Sequence, residues 1–158
     1  MVQTLRALSE SRGTGAADEL ARRAALPEHT WDHLIPEAWF LRIIRELRAM
    51  LPPEDAEAVL RRAGALTGAY VRENRIPRVF RLALTLLPAP VAVPLLLRAF
   101  RRHAWTFAGS GRFAVEGPTP GVLVLEAAPT CRVHGGAPRS GSYYEAAFET
   151  LLALAAPG

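Results

Sequence analysis

The chain has 158 residues, 50% hydrophobic and 22% charged, with 12 Gly and 13 Pro; this is the composition of one folded domain and not of a disordered or fibrous chain. Its single cysteine, Cys131, excludes an internal disulfide and a paired-cysteine zinc site. The net charge of +4 is unevenly spread, with −3 on residues 1–57, +9 on residues 58–115 and −2 on residues 116–158, and Glu73 is the only acid of the middle segment. GC-rich codon usage accounts for a chain whose cations are all arginine, but not for acids avoiding the middle; that asymmetry implies an anionic partner such as a carboxylate ligand, a lipid head group or nucleic acid.

Residues 1–15 contain no apolar run of seven or more and do not read as a secretory signal, so the expected location is the cytoplasm. They are expected to form a frayed arm, followed by a short helix from Asp18 to Ala25 that stops before Pro27, so that residues 1–26 make a flexible arm ahead of one domain over 27–158. Pro36 suits a first helical position, and Phe40, Ile43, Ile44, Leu47, Met50 and Leu51 recur at helical spacing up to Leu51. A second helix starts at Pro52–Asp55 and reaches Asn74, with Val59, Leu60, Ala63, Leu66, Thr67, Tyr70 and Val71 as its buried stripe. Gly64 and Gly68, four apart on that helix, permit close approach of another backbone; in a membrane the same spacing would mark dimerisation.

Pro77 opens a third helix to Leu87, and a fourth runs from Pro88 and Pro90 to Ala104. Between Leu82 and Leu97 lie 16 residues without a charge, close to membrane-span length, but Pro88, Pro90 and Pro94 interrupt them. Two buried helices meeting at a proline corner are expected, with a membrane-surface hairpin as the alternative. The period then changes: Arg112–Glu116 alternates, 117–121 is a turn, and Val122–Ala127 is an apolar, β-branched run, which together read as an antiparallel hairpin with one strand well buried. A long loop over 129–141 leads to a last helix capped by Ser142 and carrying Tyr143, Ala147, Phe148, Leu151, Leu152 and Leu154. The fold class is α+β, a mainly helical layer packed on a small antiparallel sheet.

No phosphate-binding loop, dinucleotide fingerprint or metalloprotease motif occurs. The glycines at 109 and 111 are expected to bend the chain into the strand, and Cys131 reads as a small hydrophobe more readily than as a nucleophile. His29 and His33 are spaced i, i+4 like a metal pair, but Pro27 and Pro36 leave little room for a helix there, and loop histidines are expected. His103 shares a helical face with Leu96, Ala99 and Phe100, beside Arg98, Arg101 and Arg102. One reading makes it a core-edge histidine with a satisfied hydrogen bond. The other makes it an axial ligand for the metal of a tetrapyrrole, with neighbouring guanidiniums on the carboxylates and Trp105 and Phe107 as flat apolar surface.

Residues 73–113, in particular NRIPR and RRHAWTFAGSGRF, resemble the bacteriochlorophyll-biosynthesis family traditionally called 4-vinyl (or 8-vinyl) reductase, whose domain names a wider superfamily. The resemblance extends through Cys131 and SYYEAAFETLLALAA at 142–156. It implies a helical layer against an antiparallel sheet, similar to vesicle-tethering TRAPP subunits, with a hydrophobic ligand pocket and Mg-protoporphyrins or divinyl protochlorophyllide as ligands. Within it the expected ligand-binding residues are His103, Trp105, Phe107, Arg75, Arg78, Arg101, Arg102, Tyr143, Tyr144 and Cys131, with His103 axial to the porphyrin magnesium. The family domain continues with a further strand and a Cys-containing close, whereas this sequence ends at Gly158; the expectation is a domain truncated at that end or a sheet completed differently.

Reducing a vinyl group needs a hydride or electron source, and no nucleotide loop, flavin signature or cluster-binding cysteine set is present. The expected function is therefore a binding accessory protein with no intrinsic cofactor, which carries a Mg-porphyrin intermediate to an enzyme of the Mg branch of tetrapyrrole synthesis. Alternatives are a vinyl reductase using an external electron donor and a tethering module that would form a homodimer. Peripheral contact with the photosynthetic membrane fits the cationic, apolar middle. Nucleic acid does not, because the basic segment is not interleaved with exposed aromatics.

Overall fold

The computed structural model describes residues 2–26, 36–104, 111–117, 122–126 and 141–156. The first two elements are helix α1 (Val2–Arg12) and helix α2 (Thr14–Arg23), which corrects the expected frayed arm. Thr4, Ala7 and Leu8 lie on one face of α1 and are buried, as are Ala17 and Leu20 of α2. Only these few apolar positions mark the segment, too short a stripe to stand out in sequence, yet they suffice because other helices cover them. Gly13 joins the two helices at φ 86, a left-handed backbone that suits glycine.

The next elements follow the proline punctuation. Helix α3 (Glu37–Met50) begins after Pro36, α4 (Pro53–Asn74) has proline in its first turn, α5 (Arg78–Leu86) begins after Pro77, and α6 (Ala89–Arg102) begins after Pro88. In each case a fixed proline φ starts a helix where a missing N–H costs nothing. Pro94 lies inside α6, which runs through it to Arg102 as expected. It is exposed, and so is Pro90, whose carbonyl would have accepted the missing bond, so water can satisfy that group. Strands β1 (Arg112–Glu116) and β2 (Val122–Glu126) pair antiparallel, from Arg112 opposite Glu126 to Glu116 opposite Val122. Leu123, Val124 and Leu125 are half-buried, not well buried as expected, because this two-stranded sheet has no second layer on its outer side among the described residues.

The last element, α7 (Gly141–Leu152), starts one residue before the expected cap. Ser142 lies inside the helix, and its buried hydroxyl finds no partner among the described residues. The architecture is α+β: among the described residues, seven helices and one antiparallel hairpin. Two apolar clusters form the interior. The first joins Leu8, Leu20, Ile43, Ile44, Leu47 and Leu60, and the second joins Leu84, Leu96, Leu97, Phe100, Phe148 and Leu151. Helices α4 and α7 run side by side and serve both, with Tyr143 in the first cluster and Phe148 and Val71 in or against the second.

Gly64 and Gly68 make that pairing possible. A Cβ on Gly64 would strike the backbone carbonyl of Tyr143, and one on Gly68 would come within 2.7 Å of the Ala147 carbonyl oxygen. The tight-packing reading of this spacing therefore holds within the chain. Outside the apolar seam, Arg61 bridges Glu145 at 3.0 Å and Glu149 at 2.8 Å.

Candidate functional site

The second cluster ends in an aromatic group formed by three elements. Phe148 of α7 lies 5.2 Å from Phe100 of α6 and 5.6 Å from Phe113 of β1, measured between ring centroids, and the latter pair is close to stacked. Such contacts add roughly 0.5–1.5 kcal/mol each beyond area burial. Ile76 and Phe80, at the α4–α5 joint, pack against the same cluster. The joint and the end of α6 therefore border one apolar body, though they are some 25 residues apart in sequence.

Four of the expected arginines stand on those two borders. Arg75 closes α4, Arg78 opens α5, and Arg101 and Arg102 end α6; all are exposed. Arg101 donates to the Val115 carbonyl at 2.9 Å and so ties α6 to β1. Arg75, Arg78, Arg98 and Arg102 make no ion pair with any described residue. By contrast, Arg81 is paired with Glu73, which Arg72 also reaches at 3.0 Å. Hydrogen bonds from Arg81 and then Arg72 hold the Glu73 carboxyl below the usual carboxylate range. The one acid of the middle segment is thus neutralised locally, and the remaining cations keep their field.

His103 caps α6 through its backbone N–H, which reaches the Ala99 carbonyl at 3.1 Å and that of Phe100 at 3.2 Å. Its side chain is exposed, so the structure places it at the surface at the end of the aromatic body and not within an enclosed apolar cavity. Trp105, Phe107 and Cys131 lie outside the described residues, as do His29 and His33 and the turn over 118–121; Gly111 forms a bend directly before β1.

The two tyrosines separate. Tyr143 is buried in the first cluster against Phe40, with ring centroids 5.2 Å apart. Thr67 spends its hydroxyl proton on the Ala63 carbonyl at 2.8 Å, so at 2.9 Å the Tyr143 hydroxyl donates to Thr67 Oγ1. Burial pushes the phenol up and the Thr67 hydrogen bond opposes it only in part. A neutral, hydrogen-bonded phenol between α3, α4 and α7 is a packing residue, which corrects its expected place at the ligand. Tyr144 is half-buried, packs against both clusters and meets Tyr143 edge-on at 5.3 Å.

A separate groove of about 280 Å³ lies between α1 and α4, with Glu10, Arg12, Asp55 and Arg62 among its lining residues. Its rim is bound up in ion pairs, Arg62 with Glu10 at 2.8 Å and Arg12 with Asp55. It contains none of the expected site residues and falls just below the usual range for small-molecule pockets, about 300–1,000 Å³.

The comparisons with known proteins bear on the same chain as a whole. It is 36% identical over 121 residues to the bacteriochlorophyll synthase 23 kDa chain of Cereibacter sphaeroides, covering 76% of this chain and 58% of that one. It is 33% identical over 153 residues to the protein of the same name from Rhodobacter capsulatus, covering 96% of this chain and 71% of that one. The chain belongs to this bacteriochlorophyll-biosynthesis family. It spans between about three-fifths and seven-tenths of the length of these relatives. No family model and no solved structure matches it.

Sequence reasoning missed two features of the site. Phe113 was seen only as part of an alternating strand, because its partner Phe148 is 35 residues away and no local signal links them. The buried reading of α5 and α6 is also corrected: of α5 only Leu84 is buried, and Val79, Leu82, Leu86, Leu87, Val91 and Leu95 are exposed. A 16-residue run without charge cannot say which of its faces is covered.

Proposed function

We propose that this chain binds a magnesium tetrapyrrole intermediate of bacteriochlorophyll biosynthesis and presents it to an enzyme of that pathway. The observation that carries this reading is the set of arginines, Arg75, Arg78 and Arg102, that make no ion pair among the described residues and border the second apolar cluster, in a stretch that contains no acid from residue 74 to 115. A flat apolar ring with carboxylate arms matches such a surface: the ring covers aromatic carbon, and guanidinium forks meet the carboxylates. Arg101 adds a fourth cation, although one of its N–H groups is committed to β1. In this reading His103, at the end of α6, supplies an imidazole to the magnesium, and Trp105, Phe107, Tyr144 and Cys131 complete the proposed ligand set. The relatives' name, a chain of a bacteriochlorophyll synthase, supports a partner enzyme in the same pathway.

An absorbance titration with Mg-protoporphyrin, its monomethyl ester and protochlorophyllide tests the reading. Saturable binding in the low micromolar range or tighter is expected, about −8 kcal/mol or better. Reversing the charge of Arg75 and Arg78 should weaken the diacid more than the monomethyl ester, which has already lost one carboxylate. His103→Ala should weaken the magnesium form and spare the metal-free one. A flat titration by folded protein with all three pigments rejects the proposal. Formation of a monovinyl product by the chain alone, given NADPH or reduced flavin and a divinyl substrate, would make it the reductase instead.

A further inference from the structure

Helices α5 and α6 expose their apolar residues in a definite order. On α5, Val79, Leu82 and Leu86 are spaced i, i+3, i+7 and share one face; Val79 is 81% exposed and Leu86 74%. Beyond the corner, Leu87, Val91 and Leu95 continue the exposed apolar surface. The face that carries Val91 and Leu95 goes on to Arg98 and Arg102; at the other end Arg78 opens α5 directly before Val79, and Arg75 closes α4 ahead of Pro77. Leucine and valine thus occupy the corner of the hairpin, and unpaired cations occupy both ends away from it. At about 1.5 Å of rise per residue, Leu86 lies roughly 12 Å along α5 from Arg78, and Val91 roughly 10 Å along α6 from Arg98.

The corner is also unusually free of polar groups that need water. Thr85 is the only polar side chain between Leu82 and Leu97, and its hydroxyl is spent on the Leu82 carbonyl at 2.9 Å. Pro88 and Pro90 have no N–H, and those of Leu87, Val91 and Ala92 are bound to the carbonyls of Ala83 and Pro88. Entry into an apolar medium therefore leaves few backbone donors stranded.

We infer that the α5–α6 hairpin docks on the surface of a bilayer containing anionic lipid, with Leu86, Leu87 and Val91 entering the acyl boundary and Arg75, Arg78, Arg98 and Arg102 at the head groups. Charge complementarity selects this occupant, since no acid between residues 74 and 115 would be repelled by an anionic leaflet. A protein partner would be expected to find aromatic or hydrogen-bonding residues at the centre of the patch, and the corner has only Leu, Val, Ala and Pro. No described helix is long and apolar enough to cross a membrane, so the contact is with the surface. The docking face shares Arg75, Arg78 and Arg102 with the proposed pigment surface, but its apolar corner is separate from the aromatic body, and neither role requires the other.

The test is flotation of the full chain with phosphatidylcholine vesicles, with and without phosphatidylglycerol, at low and high salt and without any tetrapyrrole. Co-flotation with the phosphatidylglycerol vesicles is expected, weakening as salt rises. The double variant Leu86→Asp, Val91→Asp alters exposed residues only and should stay in the soluble fraction with unchanged circular dichroism. Arg98→Glu should reduce partitioning on the order of tenfold. A Leu86→Trp variant should show emission quenched by brominated acyl chains, which reports insertion independently of the double variant. Folded protein that ignores both vesicle compositions overturns the inference, as does equal flotation by the double variant. Loss of a dimer in gel filtration by the double variant, without vesicle binding by the parent chain, would assign the face to a second copy instead. Because no pigment is present, failure here leaves the pigment titration to be judged by itself.

Discussion

The two apolar clusters use the same kind of helix to opposite ends. Around the first, built by α1 to α4, charge is matched pair by pair: Glu10 serves Arg6 and Arg62, Glu19 serves Arg22 and Arg23, Asp55 serves Arg12 and Glu57 serves Arg48. Its interior is largely aliphatic, with Leu8, Leu20, Ile43, Leu47 and Leu60 fully enclosed and Tyr143 buried against Phe40. Around the second, cations outnumber acids, large apolar side chains stand in water, and Phe100 and Phe148, with Phe113 against them, add a ring cluster to an interior of leucine, valine and alanine. Surface ion pairs contribute little to stability one by one, about 0–1 kcal/mol. The contrast therefore concerns what each surface can attract: the first half is a charge-matched scaffold, and the second keeps the cationic, apolar surface on which the proposed ligand binding rests.

The largest effect should come from the seam that holds the halves together. Gly64→Leu would drive a side chain into the Tyr143 backbone, and neither helix can move away without uncovering both clusters. A loss on the order of 3 kcal/mol or more in urea unfolding is expected, whereas Gly15→Ala, with nothing within 4 Å, should be neutral or slightly stabilising. Similar losses at both positions would show that Gly64 has no role in close packing.

Next in size, Leu8→Ala should cost about 3 kcal/mol, since this side chain is fully buried. Leu86→Ala should stay within about 0.5 kcal/mol, as a surface change does. If the two melts coincide, α1 is an ornament and the scaffold begins at α3. A smaller effect belongs to the hydroxyl between the halves: Tyr143→Phe removes the bond to Thr67 and should cost about 1 kcal/mol, read from the denaturation midpoint.

The smallest effect is electrostatic. Glu10, Glu19 and Glu73 all have carboxyls held below the usual range, chiefly by hydrogen bonds from Arg62, Arg23 and Arg81 respectively. A depressed folded pKa gives stability that is present above the unfolded pKa and is lost as pH falls through the folded one. Stability should therefore decline on the acid side of the carboxylate range. Glu10→Gln or Glu73→Gln should each flatten that decline slightly, by giving up a little stability near neutral pH and none at acid pH, where the parent carboxyl is protonated. Glu10 and Glu73 are exposed and Glu19 is half-buried at the surface, so a steep loss on removing any one of them would contradict this description.

Much of the candidate site was legible before any coordinates. The acid-free arginine segment, the end of α6 at His103 and the joint at Arg75–Arg78 all follow from composition and from proline positions. What could not be read was which aromatic residue belongs with which. Tyr143 and Phe148 sit five apart on one helix, yet one is sealed beneath α3 and α4 while the other joins Phe100 and Phe113. Periodicity identifies a stripe but does not name the body that covers it. Tyr70, placed in the buried stripe of α4 by spacing, is 46% exposed for the same reason.

The sequence by itself determined where α3 to α6 start and stop, because proline geometry and helical spacing act within a few residues of chain. It determined the hairpin and the charge imbalance too, since both are counted locally. Only the tertiary structure decided that α1 is core, that Gly64 and Gly68 face α7, and that the leucines at the α5–α6 corner face outward. Each of these depends on whether another element arrives to exclude water from a given face. That arrival is set by contacts between residues as far apart as Gly64 and Tyr143, and burial free energy accrues only once they meet.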